Sequence, residues 1–207
     1  MGSSHYFIPL SVEVMSGPIK PFRFRFERSL QAAAYLIKLA GGELPYIHLL
    51  KMLYIADREY LAEYGEMITG DRVCAMKHGP VLSCVLNLIR GRDSRSDEWS
   101  VFIRTVPRKH VVRLERDPGT GKLCRASEAR LRSVFERYGN LKPFEVVRLT
   151  HELPEWEVFY RENTSTAIPW KEILRLQGKE EMIPVAMQSI DLHDHQVAMS
   201  GALHEAR

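Results

Sequence analysis

The sequence predicts an α+β fold: a mainly α-helical single domain carrying a small antiparallel β-sheet or hairpin. Three observations point there. The chain has 207 residues, 45% hydrophobic and 27% charged, which is globular composition and the size of one ordinary domain. Apolar residues recur at helical spacing through most of it, most clearly from Pro45 to Tyr64. Two runs rich in Val, Ile and Phe, separated by Pro107, lie between these helical segments and read as paired strands.

The elements follow in order. Residues 1–21, with Pro9, Gly17 and Pro18, read as an extended lead-in, and Met1–His5 resembles the start of a purification tag. Glu27–Leu39 is a helix with Leu30, Ala33, Ala34 and Ile37 on one face, ended by Gly41-Gly42. Pro45 suits a first helical position, and the next helix should run to Tyr64. Its apolar stripe is Tyr46, Leu49, Leu50, Leu53, Tyr54, Leu61 and Tyr64, and Gly65 stops it. Ile68–Asp71 is a turn, and Arg72–Lys77 an extended piece. His78-Gly79-Pro80 leads into a helix with Pro80 near its first turn and Val81, Leu82, Val85, Leu86 and Ile89 inward.

Gly91–Asp97 is a polar loop. Trp99–Val106 and His110–Glu115 are the strand pair, and Asp117–Gly121 is a turn before a short strand at Lys122–Cys124. Ser127 is a plausible N-cap for a helix over Glu128–Tyr138. Short helices are expected near Lys142–His151, Glu155–Arg161 and Pro169–Leu176. From Gln177 onward the periodicity weakens, and 177–207 is expected to be a weakly structured tail, ordered in part or only on a partner.

Composition and motifs exclude several function classes. No apolar run approaches the roughly 18 residues of a membrane span, so no membrane role is expected, and no signal-peptide pattern opens the chain; a cytoplasmic protein is the expectation. Cys74, Cys84 and Cys124 are odd in number and widely spaced, which fits reduced, mostly buried thiols rather than a disulfide framework or a zinc site. No nucleophile elbow, zincin, phosphate-loop or dinucleotide motif occurs, and Gly119-Thr120-Gly121-Lys122 is a turn. His193-Asp194-His195 offers two imidazoles but no third ligand. Neither a catalytic residue, nor a metal, nor any other cofactor is assigned, and a non-enzymatic role is expected.

Net charge is +3, too mild to announce a nucleic-acid binder. The basic residues are concentrated, however: Val101–Arg137 holds ten Lys/Arg against four Asp/Glu. Solvated side chains or a patch for an acidic partner both fit. Asp57 lies four residues after Leu53 and four before Leu61, beside the apolar face of the long helix, where a carboxylate must be paired or hydrogen-bonded. Adjacent Arg58 points about 100° away, so Arg72, Lys77 and His78 are its candidate partners, while Asp71 could cap the turn at Thr69-Gly70. Such a constellation is either a polar site in a cleft or an internal network that fixes how two helices meet.

Leu50–Glu59, Ile68–Asp71, Ala75–Val81 and Leu149–Trp156, in that order, resemble the Panacea domain of SocA-like antitoxins and phage-associated GepA-like proteins. The resemblance covers about 22–176. It implies an antitoxin of a bacterial or phage toxin–antitoxin pair, non-enzymatic, that neutralises a cognate protein toxin encoded by the adjacent gene through direct contact. The SocA branch implies an adaptor that hands the toxin to the ClpXP protease. The shared motif would then be the internal network of Asp57, Thr69, Asp71, Lys77, His78, Gly79, Pro80 and Trp156. Toxin contact would fall outside it, on the basic segment, at Arg104, Arg108, Lys109, Arg113 and Arg130. Two other functions compete: a nucleic-acid-binding regulator using residues 101–137, and a hydrolase or nuclease using Asp57, His78 and Asp71.

Overall fold

A computed structural model of the chain describes residues 20–205. The expected lead-in over residues 1–21 lies almost wholly outside them. In chain order the elements are α1 (Phe26–Leu39), β1 (Glu43–Pro45), α2 (Tyr46–Tyr64), β2 (Val73–Met76), β3 (Gly79–Leu82), α3 (Ser83–Ile89) and α4 (Ser96–Ser100). There follow β4 (Ile103–Val106), β5 (Val111–Leu114), α5 (Arg125–Tyr138), α6 (Pro143–His151), α7 (Pro154–Phe159), β6 (Thr166–Ala167), α8 (Trp170–Arg175) and α9 (Ile183–Glu205). The described residues are mainly helical with two small antiparallel sheets, as the sequence predicts, although the second sheet is additional.

Helix α2 is the axis of the molecule. It packs against α1, α5, α6, α8, α9 and β3, so it is enclosed on every side rather than along one stripe. His48 through Asp57 are all buried, whereas Tyr64, assigned to the apolar stripe, is exposed. α1 keeps Leu30, Ala33, Ala34 and Ile37 inward as expected and closes where the Gly42 N–H donates to the Ile37 carbonyl at 2.9 Å.

The first sheet has the order β1-β5-β4, with Leu44 opposite Val112 and Arg104 opposite Arg113. Strand β1 is unforeseen, and it ends at Pro45, so α2 begins one residue later than expected. Trp99 belongs to a helical turn, not a strand. Asp93 Oδ1 accepts the Arg95 N–H at 2.9 Å and Ser96 Oγ accepts the Asp93 N–H at 3.1 Å, which winds the polar loop into α4, where the Trp99 indole is buried.

The second sheet has the order β3-β2-β6. Pro80 lies in strand β3 opposite Ala75, not in the first turn of a helix. The helix starts at Ser83 because the Asp71 carboxylate accepts the N–H groups of Cys84 and Val85, both at 2.9 Å, capping α3 from a distant part of the chain. Lys122–Cys124 forms no strand. α5 begins at Arg125, and Ser127 stands in its first turn, bonded back to Cys124 through N–H and carbonyl at 3.0 and 2.8 Å.

The segment expected to be weakly structured after Gln177 instead forms α9. Ala186 and Ile190, one turn apart, are buried against the body of the protein. Gly65 permits the approach: a β-carbon there would stand 2.8 Å from Val185 Cγ1 and 3.0 Å from the Ala186 nitrogen. Lys20–Asp191 and Arg23–Asp194 ion pairs tie the helix to the start of the described chain. Ile183 and Met187 pack partly buried beside Ala186 and Ile190, whereas Val185, Leu192, Val197 and Met199 remain exposed, which is why helical periodicity is faint in the sequence.

Candidate functional site

Two buried polar clusters flank α2. In the first, Asp57 is fully buried and accepts the Thr69 N–H at 2.9 Å and the Thr69 hydroxyl. Thr69 Oγ1 in turn accepts the Asp71 N–H at 3.1 Å, and Asp71 caps α3. Burial raises the Asp57 carboxyl to about 7, against the opposing pull of the two Thr69 bonds. Asp71 is also raised, by burial foremost. Arg72, Lys77 and His78 are exposed and are not the partners of Asp57 that the sequence suggests.

In the second cluster Glu155 of α7 is fully buried and accepts the Tyr54 hydroxyl at 2.5 Å and Arg58 Nε at 2.5 Å. Burial and the facing Glu155 push the Tyr54 phenol well above its ordinary value, so it stays a donor. Arg58 is thus no partner of Asp57, as its angular offset implies, but it pins the end of the motif to its beginning. Trp156 joins from the same helix: its Nε1 donates to the Met76 carbonyl at 2.9 Å, and its ring stacks on His151 and Tyr160.

Between the clusters lies the β2–β3 turn. Gly79 adopts φ +90°, and a β-carbon there would meet Thr150 Oγ1 at 2.6 Å and Lys51 Nζ at 2.8 Å. The Pro80 carbonyl accepts Lys51 Nζ at 2.7 Å. Lys77 and His78 form the exposed turn, with His78 edge-on to Phe144. The structure therefore joins Asp57, Thr69 and Asp71 in one network, places Gly79, Pro80 and Trp156 around a second centre, and leaves Lys77 and His78 outside hydrogen-bonded contact with either Asp. Asp57, His78 and Asp71 do not assemble as a hydrolytic trio.

Tyr54, Arg58, Glu155, Lys51, Thr150 and His151 are the participants that sequence reasoning missed. Lys51 carried a signal of the kind that exposed Asp57: it lies four residues after Ile47 and three before Tyr54, at helical spacing from residues that face inward.

Of the ten Lys/Arg in the basic segment, four make ion pairs among the described residues: Arg104, Arg113, Arg130 and Arg137. Arg104 meets Glu115 at 2.8 Å and Arg113 meets Glu43 at 2.5 Å, which offsets their like-charge pairing across the sheet. Arg130 bonds Glu59 at 2.7 Å and also Glu63 on α2. Arg108 and Lys109, at the exposed β4–β5 corner, make no ion pair among the described residues. His193 and His195 lie two apart on a helix and face different ways; among the described residues no group of three metal-ligating side chains occurs. The cysteines are free, but only Cys74 is buried; Cys84 is half-buried and Cys124 exposed. Burial alone would raise the Cys124 thiol, yet hydrogen bonds from Tyr60 and Ser127 outweigh it and bring the thiol to about 7. No helix among the described residues is long and apolar enough to cross a membrane.

A family model described as antitoxin SocA-like, Panacea domain, matches residues 49–157, more than half of the chain, running from within α2 to within α7 and holding both clusters. No curated protein matches, and no solved structure matches.

Proposed function

The chain belongs to the SocA-like antitoxin family through its Panacea domain, and from that premise we propose that it neutralises a cognate protein toxin by binding it directly. The family match over the α2–α7 scaffold carries this reading. Within that stretch the three buried carboxylates are spent internally: Asp57 on Thr69, Asp71 on the start of α3, Glu155 on Tyr54 and Arg58. A network of this kind fixes a rigid framework and leaves recognition to the surface.

On that surface the basic face from 101 to 137 is the toxin-facing candidate. Arg108, Lys109, Arg116, Lys122, Arg125 and Arg132 make no ion pair among the described residues and supply its unpaired charge, while Arg104, Arg113 and Arg130 are held by their own glutamates and contribute shape more than field.

The test is to induce the open reading frame beside this gene with and without the protein. Growth arrest alone, rescue on co-expression and co-purification of the pair are the expected results. Rescue accompanied by loss of the toxin, and abolished in a ClpX-deficient strain, would instead assign the protease-adaptor mode. A harmless neighbour that does not co-purify would overturn the antitoxin proposal, and salt-dependent DNA binding would then be measured.

A further inference from the structure

The β2–β3 turn is anchored on its inner side and open on its outer one. Trp156 Nε1 and Lys51 Nζ hold the carbonyls on either side of it, Met76 and Pro80, at 2.9 and 2.7 Å. The side chains at its tip, Lys77 and His78, are exposed and make no ion pair and no side-chain hydrogen bond among the described residues. Beside the turn, between the start of α2 and α3, lies a cavity of about 310 Å³. Its apolar walls come from Tyr46, Ile47 and Leu50 of α2, Met76 and Val81 of the second sheet, and Leu86 of α3. Lys77, His78 and the exposed Arg90 form its basic rim, and no acidic residue lines it. The Lys51 ammonium points inward to the Pro80 carbonyl and takes no part.

The positive charge continues beyond the rim. The Ile89 carbonyl accepts the Thr105 hydroxyl at 2.7 Å, which sets Arg90 beside β4. The His110 carbonyl accepts the Tyr46 N–H at 3.0 Å, which brings the β4–β5 corner, with Arg108 and Lys109, to the start of α2. Lys77, Arg90, Arg108 and Lys109 have no carboxylate within ion-pairing distance among the described residues. On the opposite flank His78 stands edge-on to Phe144, whose ring is 64% exposed. An apolar floor inside a rim of unpaired cations is the anatomy of a surface that receives an acidic protein segment.

We propose that this groove is where the partner protein docks: one or two large apolar side chains of an acidic segment fill the cavity, and the flanking carboxylates meet Lys77, Arg90 and the Arg108-Lys109 corner. That the partner is the toxin rests on the antitoxin reading; the chemistry of the groove does not. The anchoring bonds keep the rim in place before binding, so little ordering is needed when the segment arrives. The mainly aliphatic walls offer no run of rings on which successive bases could stack, which favours a protein over a nucleic acid.

The neighbouring gene product is titrated with the wild-type protein, with Lys77→Glu/Arg90→Glu and with Ile47→Asp. A control, Arg116→Glu/Lys122→Glu, reverses two exposed charges on the β5–α5 connection, outside the groove lining. Both groove variants should keep the wild-type circular dichroism spectrum and bind at least about tenfold more weakly, and the control should change affinity less than about threefold. Lys77 and Arg90 are exposed and unbonded, so that pair carries the test even if Ile47→Asp does not fold. Groove variants that bind as tightly as wild type, or a control that loses as much, would overturn the proposal. A second arm needs no toxin. A short synthetic peptide of alternating leucine and glutamate is titrated into the isotope-labelled full chain and followed by NMR, with a dissociation constant on the order of millimolar expected. Signals of Ile47, Lys77, His78 and Arg90 should move, and a leucine–lysine counterpart should leave them in place. Equal shifts with both peptides, or none with the acidic one at about 5 mM, would overturn the proposal. So would a single-stranded oligonucleotide that moves these signals at lower concentration than the peptide, or a dimer of this chain that Lys77→Glu/Arg90→Glu dissolves. A harmless neighbour overturns the antitoxin reading and leaves the groove to be decided by the peptide.

Discussion

Replacing Glu155 by leucine would strip the central partner from the cluster that joins α7 to α2. The carboxylate is 0% exposed and accepts hydrogen bonds from Tyr54 Oη, Arg58 Nε and Arg58 Nη2, at 2.5, 2.5 and 3.2 Å. Breaking a buried ion pair from one side costs about 3–5 kcal/mol because the surviving charge is stranded. The Arg58 side chain keeps 17% exposure, so water reaches part of it and the lower end applies, about 3 kcal/mol. The Tyr54 hydroxyl is fully buried and loses its acceptor, worth about 1–3 kcal/mol, but the two losses share one site and do not add in full. About 4 kcal/mol in all is expected, or a fall in Tm of about 8–16 °C for a domain of this size.

Urea unfolding followed by circular dichroism measures the change, with the slope of the transition checked for constancy. Adding Arg58→Met to Glu155→Leu removes the stranded charge and should recover about 2 kcal/mol. Glu155→Gln, which keeps an acceptor for Tyr54, should lie between. A loss below about 1 kcal/mol for Glu155→Leu, or a double variant no more stable than the single one, would refute the account of the cluster as a tightly coupled buried pair.

The other predictions concern different parts of the fold. Asp57 titrates near 7 when folded and near its ordinary value of 3.8 when unfolded, so between those pH values the unfolded chain has released a proton that the folded one retains. Its contribution therefore lowers stability as pH rises across that window, by up to about 1.4 kcal/mol per pH unit, and is constant above it. Asp57→Asn should flatten this slope in urea unfolding at pH 4.5 to 7; an unchanged slope would show that Asp57 does not carry it. Gly79→Ala forces a β-carbon onto Thr150 and Lys51 at φ +90° and should cost about 3 kcal/mol, whereas Gly119→Ala, at φ +72° with nothing within 4 Å, should cost about 1. Equal costs in thermal denaturation would deny the close approach at Gly79. Ile190→Ala, on the buried seam of α9, should destabilise the protein by about 2–3 kcal/mol, and no change would mean that α9 does not dock.

Much of the fold is legible in the residues. The helices α1 and α2, the strand β5 and the three short helices α6, α7 and α8 lie within a few residues of their predicted bounds, because apolar spacing and Gly or Pro punctuation are local signals. The misplacements share one cause. The start of α3 is set by Asp71, twelve residues before Ser83, so Pro80 looks like a helix start when only local chemistry is considered. α9 looks disordered because its docking depends on a glycine more than a hundred residues earlier in the chain. Asp57 is identifiable as a buried carboxylate from its place on the helix face, but spacing alone does not give its partner: Thr69, which the family resemblance places in the same network, reaches it from twelve residues on through both its backbone N–H and its hydroxyl. Thiol burial also differs at Cys124, which ends up exposed at the start of α5.

The sequence by itself determines the helix-rich class, the order of the motif blocks and the presence of an ionisable group on the inner face of α2, because each depends on spacing within one or two turns. Tertiary structure alone decides which charges are spent. It pairs Glu155 with Arg58 and Tyr54 across about a hundred residues, ties up Arg104, Arg113 and Arg130, and encloses the middle of α2 so that Lys51 is buried with no ion-pairing acid among the described residues. Burial is a property of everything packed around a residue, and a one-dimensional pattern records only the face that the residue's own helix turns inward.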